Sequence, residues 1–173
     1  AVQNAIRALR SGNTELKKAN ALTVLEKAAE NDSDAYAMNA LGLAYMNGIG
    51  TERNASKAVS WLEKSGENGH RNAWHNLGLM YKDAKATAQD FVKACEYFRK
   101  GANDSTVLCS YDLGFMLYKG LGCKQDYGQA VKLFRIGARY NHAPSLYMLG
   151  LCLRNGYGTP CDTTEAMKCL NRS

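Results

Sequence analysis

The chain has 173 residues, 46% of them hydrophobic and 22% charged, an ordinary composition for a folded domain with a core. No apolar run approaches the ~20 residues that cross a bilayer, which argues against membrane insertion. The net charge of +6 is greatest over 109–144, where Lys119, Lys124, Lys132, Arg135 and Arg139 are scattered along both expected helices. With no basic tail and no nucleic-acid motif, this charge reads as solvated helix faces, and no nucleic-acid partner is expected. The opening AVQNAIRALR has neither Met nor a signal-peptide apolar stretch, so the chain is expected to be a processed or excised piece of something longer.

Three landmarks recur at a step of 36 residues: Leu41-Gly42, Leu77-Gly78, Leu113-Gly114 and Leu149-Gly150; Asn54, Asp90, Asp126 and Asp162; Ala58, Ala94, Ala130 and Ala166. A period of this size signals a stacked helical solenoid. The expected fold is all-α, with about five helix-turn-helix repeats in a single domain over 1–173. Unit one (1–36) is degenerate, carrying Ala5-Ile6 in place of Leu-Gly, though Gly12 falls in register with Gly48. That suits the cap of an array. Unit two (37–72) shows the pattern best. Its first helix places Ala37, Leu41, Ala44 and Tyr45 on one apolar face, and Gly48 and Gly50 end it. Its second helix starts on Asn54, a side-chain cap, and turns Ala58, Trp61 and Leu62 inward. Unit three (73–108) has Asp83-Ala84-Lys85-Ala86 where its neighbours have Gly-x-Gly, so its first helix is expected to run on or its turn to take another shape. Units four (109–144) and five (145–173) restore the loop with Gly120/Gly122 and Gly156/Gly158, and Gln129 and Glu165 are placed to complete capping boxes with Asp126 and Asp162. Glycine inside a helix costs about 1 kcal/mol against alanine, so the repeated Leu-Gly glycine implies backbone contact with the crossing second helix.

Ala37, Leu41, Gly42, Tyr45, Gly48, Gly50, Asn54, Lys57, Ala58, Trp61, Leu62 and Lys64 carry a unit that resembles the Sel-1-like repeat, a relative of the tetratricopeptide repeat, over nearly the whole chain. The resemblance implies an α/α right-handed superhelix of antiparallel helix pairs, and an adaptor that assembles other proteins. Some secreted members of that family staple each repeat with a cysteine pair. Here no two of the six cysteines share a slot. By register Cys95, Cys109, Cys152 and Cys169 read as core residues, while Cys123 and Cys161 fall in loops. Reduced thiols and a cytoplasmic location are therefore expected, with an exported, periplasmic or endoplasmic-reticulum location as the alternative. Asn31, Asn54, Asn103 and Asn171 each begin a glycosylation acceptor triplet, read here as chance in a chain rich in Asn and Ser. His70 and His142 belong to turns at unit boundaries, and His75 to a first helix. No nucleophile, metal spacing or phosphate loop accompanies them, so no enzyme, metal or cofactor is expected.

In this architecture the first helix of each repeat lines the concave face. Three rows of side chains then face a partner: Asn39, His75, Tyr111 and Tyr147; Met46, Lys82, Tyr118 and Arg154; Asn47, Asp83, Lys119 and Asn155. Tyrosine, amide and cationic groups in one ladder suit an extended peptide or protein of some acidic character. A self-assembly module that makes homo-oligomers through its solenoid ends, or a part of a larger signalling or quality-control protein, is the alternative.

Overall fold

A computed structural model describes residues 1–12, 14–85, 87–103 and 106–173. These residues form two compact units, Ala1–Gln89 and Asp90–Ser173. The first holds α1 (Val2–Ser11), α2 (Glu15–Asn31), α3 (Ala35–Asn47), α4 (Ala55–Glu67) and α5 (Asn72–Lys82). The second holds α6 (Phe91–Asn103), α7 (Val107–Lys119), α8 (Tyr127–Arg139), α9 (Ala143–Asn155) and α10 (Thr163–Asn171). Each helix packs on the next within its unit, and in the first unit α3 also touches α1 and α5.

The second helices start where the landmark predicts. The side chains of Asn54, Asp126 and Asp162 accept the backbone N–H of Lys57, Gln129 and Glu165 at 2.9, 2.9 and 2.8 Å, and Asp90 accepts that of Lys93 at 3.0 Å. The reciprocal half of the expected capping boxes is not made. The N–H of Asp126 and Asp162 is already given to the carbonyls of Leu117 and Leu153, both at 3.0 Å. The Glu165 carboxylate instead holds Arg135 Nη1 at 2.8 Å. The cap residue thus ties the second helix back to the first helix of its own repeat, as Asn54 does to Tyr45 at 2.9 Å.

The Leu-Gly glycine is a site of close packing, chiefly against side chains. A Cβ on Gly42 would stand 2.5 Å from Leu62 Cγ and 3.2 Å from the Ala58 carbonyl oxygen. On Gly114 it would stand 2.8 Å from the Phe134 ring, and on Gly150 2.7 Å from Leu170 Cγ. Leu62, Phe134 and Leu170 share one slot of the 36-residue register, two steps and then one step apart, and Leu62 and Phe134 are fully buried. Burial of each such side chain contributes about 2–3 kcal/mol, more than the glycine costs its helix.

Gly48, Gly120 and Gly156 end their helices with φ near +70°, the left-handed cap. The third repeat keeps the left-handed turn at the first glycine slot, contrary to expectation. Ala84 takes φ +56° in place of glycine. Lys85 N–H donates to Met80 O at 2.9 Å, the bond that Ile49, Leu121 and Tyr157 make to Ala44, Met116 and Cys152. Gly12, in contrast, follows α1 with φ −64° and is not a left-handed cap. Ala86, and the Asp104 and Ser105 that complete the Asn103 triplet, lie outside the described residues.

Candidate functional site

The three rows differ in what each unit does with them. In the first unit Asn39 is half-buried and accepts a hydrogen bond from Asn76 Nδ2 at 2.9 Å. Met46 corrects the ladder: it is 7% exposed and packs with Tyr45, Ala58 and Met80. Asn47 is exposed, but its amide donates to the Leu43 carbonyl of its own helix at 2.9 Å. His75 and Lys82 are half-buried, and Asp83 lies 3.6 Å from Lys85 Nζ.

In the second unit the same rows carry exposed Tyr147, Lys119, Arg154 and Asn155. Tyr147 is 50% exposed. Tyr111 is half-buried, its ring 6.2 Å from Phe134 and edge-on to His142 at 5.3 Å. Tyr118 is half-buried between Tyr127 and Tyr157, at 5.3 and 6.1 Å, and those two rings stack on each other at 5.1 Å. Lys119 Nζ lies 5.5 Å from the Tyr118 ring and 6.0 Å from Phe115, within cation–π range. Burial, then the neighbouring Cys152, Tyr157 and Tyr127, raises the Tyr118 pKa, so its hydroxyl stays neutral.

Both boundary histidines are where the turns were expected. His142 Nδ1 lies 2.8 Å from Ser145 Oγ, and His70 meets the Tyr36 ring edge-on at 4.7 Å. Burial lowers the pKa of each, against the opposing pull of Asp112 on His142 and of Asp34 on His70. Neutral imidazoles are therefore favoured at neutral pH. Cys95, Cys109, Cys152 and Cys169 are buried as the register implied, Cys123 is half-buried and Cys161 exposed. Among the described residues no cluster of His, Cys, Asp and Glu could hold a metal, and no helix is long and apolar enough to cross a membrane.

One recurring device was missed by sequence reading. Gln89 Nε2 donates to Lys82 O at 2.8 Å, Gln125 Nε2 to Tyr118 O at 2.9 Å, and Cys161 Sγ to Arg154 O at 3.2 Å. The donors share one slot, and each clasps the end of the first helix on which two ladder rows sit. Gln and Cys differ in chemistry, so identity at that slot carried no signal.

The helix pairs, their caps and their loops define a helical-repeat scaffold. The Sel1 repeat profile matches residues 35–70, 73–105, 107–142 and 143–173. The chain belongs to the Sel1 repeat family, with α1 and α2 as a further helix pair ahead of the four matched repeats. A protective antigen of uropathogenic Escherichia coli with an SLR fold superposes with a TM-score of 0.88 at 26% identity, over 99% of this chain and 37% of its own. A Sel1 repeat protein from Oxalobacter formigenes gives 0.83 at 25% identity, over 98% and 68%. Cysteine rich protein B of Helicobacter pylori gives 0.50 at 26% identity, over 68% and 89%. This chain thus spans little more than a third of the first of these proteins. No curated protein matches the sequence. The all-α solenoid class is that of this family, whose repeats generally serve as non-catalytic scaffolds that bind proteins.

Proposed function

We propose that the chain is a non-catalytic adaptor, and that the first-helix surface of Asp90–Ser173 takes an extended, acidic peptide segment of a partner protein. The observation that carries this reading is the exposure of Lys119 on α7 and of Tyr147, Arg154 and Asn155 on α9, residues drawn from all three rows, with Lys119 and Asn155 one repeat step apart. Charge supports it. Over 90–173 the chain has eleven Lys and Arg against seven Asp and Glu. Of the carboxylates, Asp90, Asp126 and Asp162 cap helices and Glu165 is paired with Arg135. Lys119 and Arg154 on the first helices are exposed and, among the described residues, in no ion pair, which favours and steers an acidic partner. Tyr147 supplies contact area at low entropic cost, and Asn155 can grip a peptide backbone.

A pull-down from the native cell, followed by titration of the captured partner, tests this. Joint alanine substitution of Lys119, Tyr147 and Arg154 is expected to abolish capture with helicity unchanged. Tyr111 and Tyr118 are left intact because their rings pack internally. If the triple variant captures its partner as well as the parent does, the surface is assigned wrongly.

A second reading rests on Met167. It occupies the slot that is buried at Cys95 and Val131, yet it is 60% exposed on α10. Stacking of copies through that face would cover it. Sedimentation at two concentrations separates the readings, since a strict monomer sinks self-assembly.

A further inference from the structure

Two slots face each other from one repeat to the next. In the first unit Val59 on α4 and Thr87 in the following loop line one cleft with Ala55, Ser60 and Tyr81. One step of 36 on, the same two slots hold Cys95 and Cys123; one more step on, Val131 and Thr159. The valine–threonine pair is thus replaced by two cysteines only in the middle case. The local geometry brings them together. Gly122 lies so close to the first turn of α6 that a Cβ there would collide with the Phe91 carbonyl. Phe91 and Cys95 stand four apart, on one face of α6. Cys123 follows Gly122 directly, its Sγ donating to Leu121 O at 3.5 Å, and it is near enough to Cys95 to act on that thiol. The two differ in access: Cys95 is 2% exposed and Cys123 is half-buried.

We propose that Cys95 and Cys123 form a thiol–disulfide exchange site, oxidised by small disulfides into a covalent staple between the second helix of one repeat and the loop of the next. The Cys123 thiolate attacks a small disulfide such as oxidised glutathione, forming a mixed disulfide and releasing one reduced thiol. The Cys95 sulfur, giving up its proton, then attacks Cys123 Sγ and expels the second reduced thiol, which takes that proton. Two protein thiols are oxidised and one small disulfide is reduced to two thiols. Burial, and then the neighbouring Cys123, push the Cys95 thiol up to about 12. The second step is therefore slow at neutral pH and quickens as pH rises, because the thiolate is the attacking form.

The test uses the full chain with Cys161→Ser, which removes the exposed thiol. It is equilibrated in glutathione buffers of stepped redox ratio, alkylated and digested with trypsin. Cleavage after Lys93, Arg99, Lys119 and Lys124 puts the two cysteines on Ala94–Arg99 and Gly120–Lys124. The expected product is those two peptides joined, reversed by dithiothreitol, with an unfolding midpoint raised by about 5 °C in the oxidised form. Cys95→Ser is expected to trap Cys123 as its glutathione adduct. The double variant Cys95→Val with Cys123→Thr copies the neighbouring repeats, so it should fold and lose all redox dependence of the midpoint. Glutathione held on Cys123 with Cys95 present and no joined peptide, or an unchanged redox dependence in the double variant, would overturn the proposal.

Discussion

The two units carry the same ladder slots and use them in opposite ways. In Ala1–Gln89 the slots are largely spent on internal contacts: Met46 fills the core, Asn39 holds Asn76, and the exposed Asn47 and Asp83 engage the Leu43 carbonyl and Lys85. In Asp90–Ser173 they project tyrosine, lysine, arginine and asparagine outward. A shared backbone register therefore does not imply a shared surface. A repeat can spend a slot on cohesion or on recognition, and side-chain chemistry decides which.

The sharpest break of this comparison is a matched pair of variants. Lys119→Ala with Tyr147→Ala and Arg154→Ala should weaken partner binding by a hundredfold or more, about 3 kcal/mol. Asn47→Ala with Asp83→Ala should change it less than about twofold, as fluorescence anisotropy with the captured partner would show. Equal losses would mean that the first unit also binds.

Next in size is Gly42→Ala, whose Cβ has nowhere to go against Leu62. It should cost about 1–2 kcal/mol, overpacking less the helix gain of alanine. Gly114→Ala meets the edge of a ring and should cost less. Both tryptophans, Trp61 and Trp74, lie in the first unit, so their fluorescence follows that unit while far-ultraviolet dichroism follows both. Gly42→Ala should move the tryptophan transition and Gly114→Ala should not.

Ala84→Gly should stabilise the first unit by about 1 kcal/mol in the same fluorescence assay, because it relieves a left-handed alanine. The histidines give a smaller effect. His142 and His70 have folded pKa values below the unfolded 6.5, so the unfolded chain takes up protons first as pH falls. Stability from each is full above pH 6.5 and declines as pH drops from there through the depressed folded value. His142→Asn should flatten the pH slope seen by dichroism and leave the tryptophan slope unchanged. Least of all, Glu165→Gln should cost well under about 1 kcal/mol, since its pair with Arg135 is partly solvated.

Period and capping chemistry are local, and they were legible. The landmark caps and the glycine turns after α3, α7 and α9 did what their spacing implied, while Gly12 did not. Contacts between different slots were not. The Asn39–Asn76 bond spans 37 residues, one off the period, so comparison at a step of 36 passes over it. Cys95 and Cys123 likewise meet across repeats and share no slot. Met46 was misread because a slot fixes a Cα direction and not an accessible surface. A flexible thioether folds onto its neighbours where Tyr118 and Arg154 keep polar ends in reach of water. The half-made capping boxes failed because the cap N–H had a nearer acceptor.

The loop hydrogen bond from Lys85 to Met80 has an evolutionary consequence. That path is drawn by main-chain atoms, which mutation does not change, and glycine only lowers the strain along it. Glycines can therefore drift out of such loops one at a time, each loss tolerated while the rest of the repeat has stability to spare. A census keyed on the double glycine would find three such repeats in this chain, whereas among the described residues the main-chain bond marks four. Divergent arrays are better counted by the geometry of their turns than by the residues that first made those turns easy.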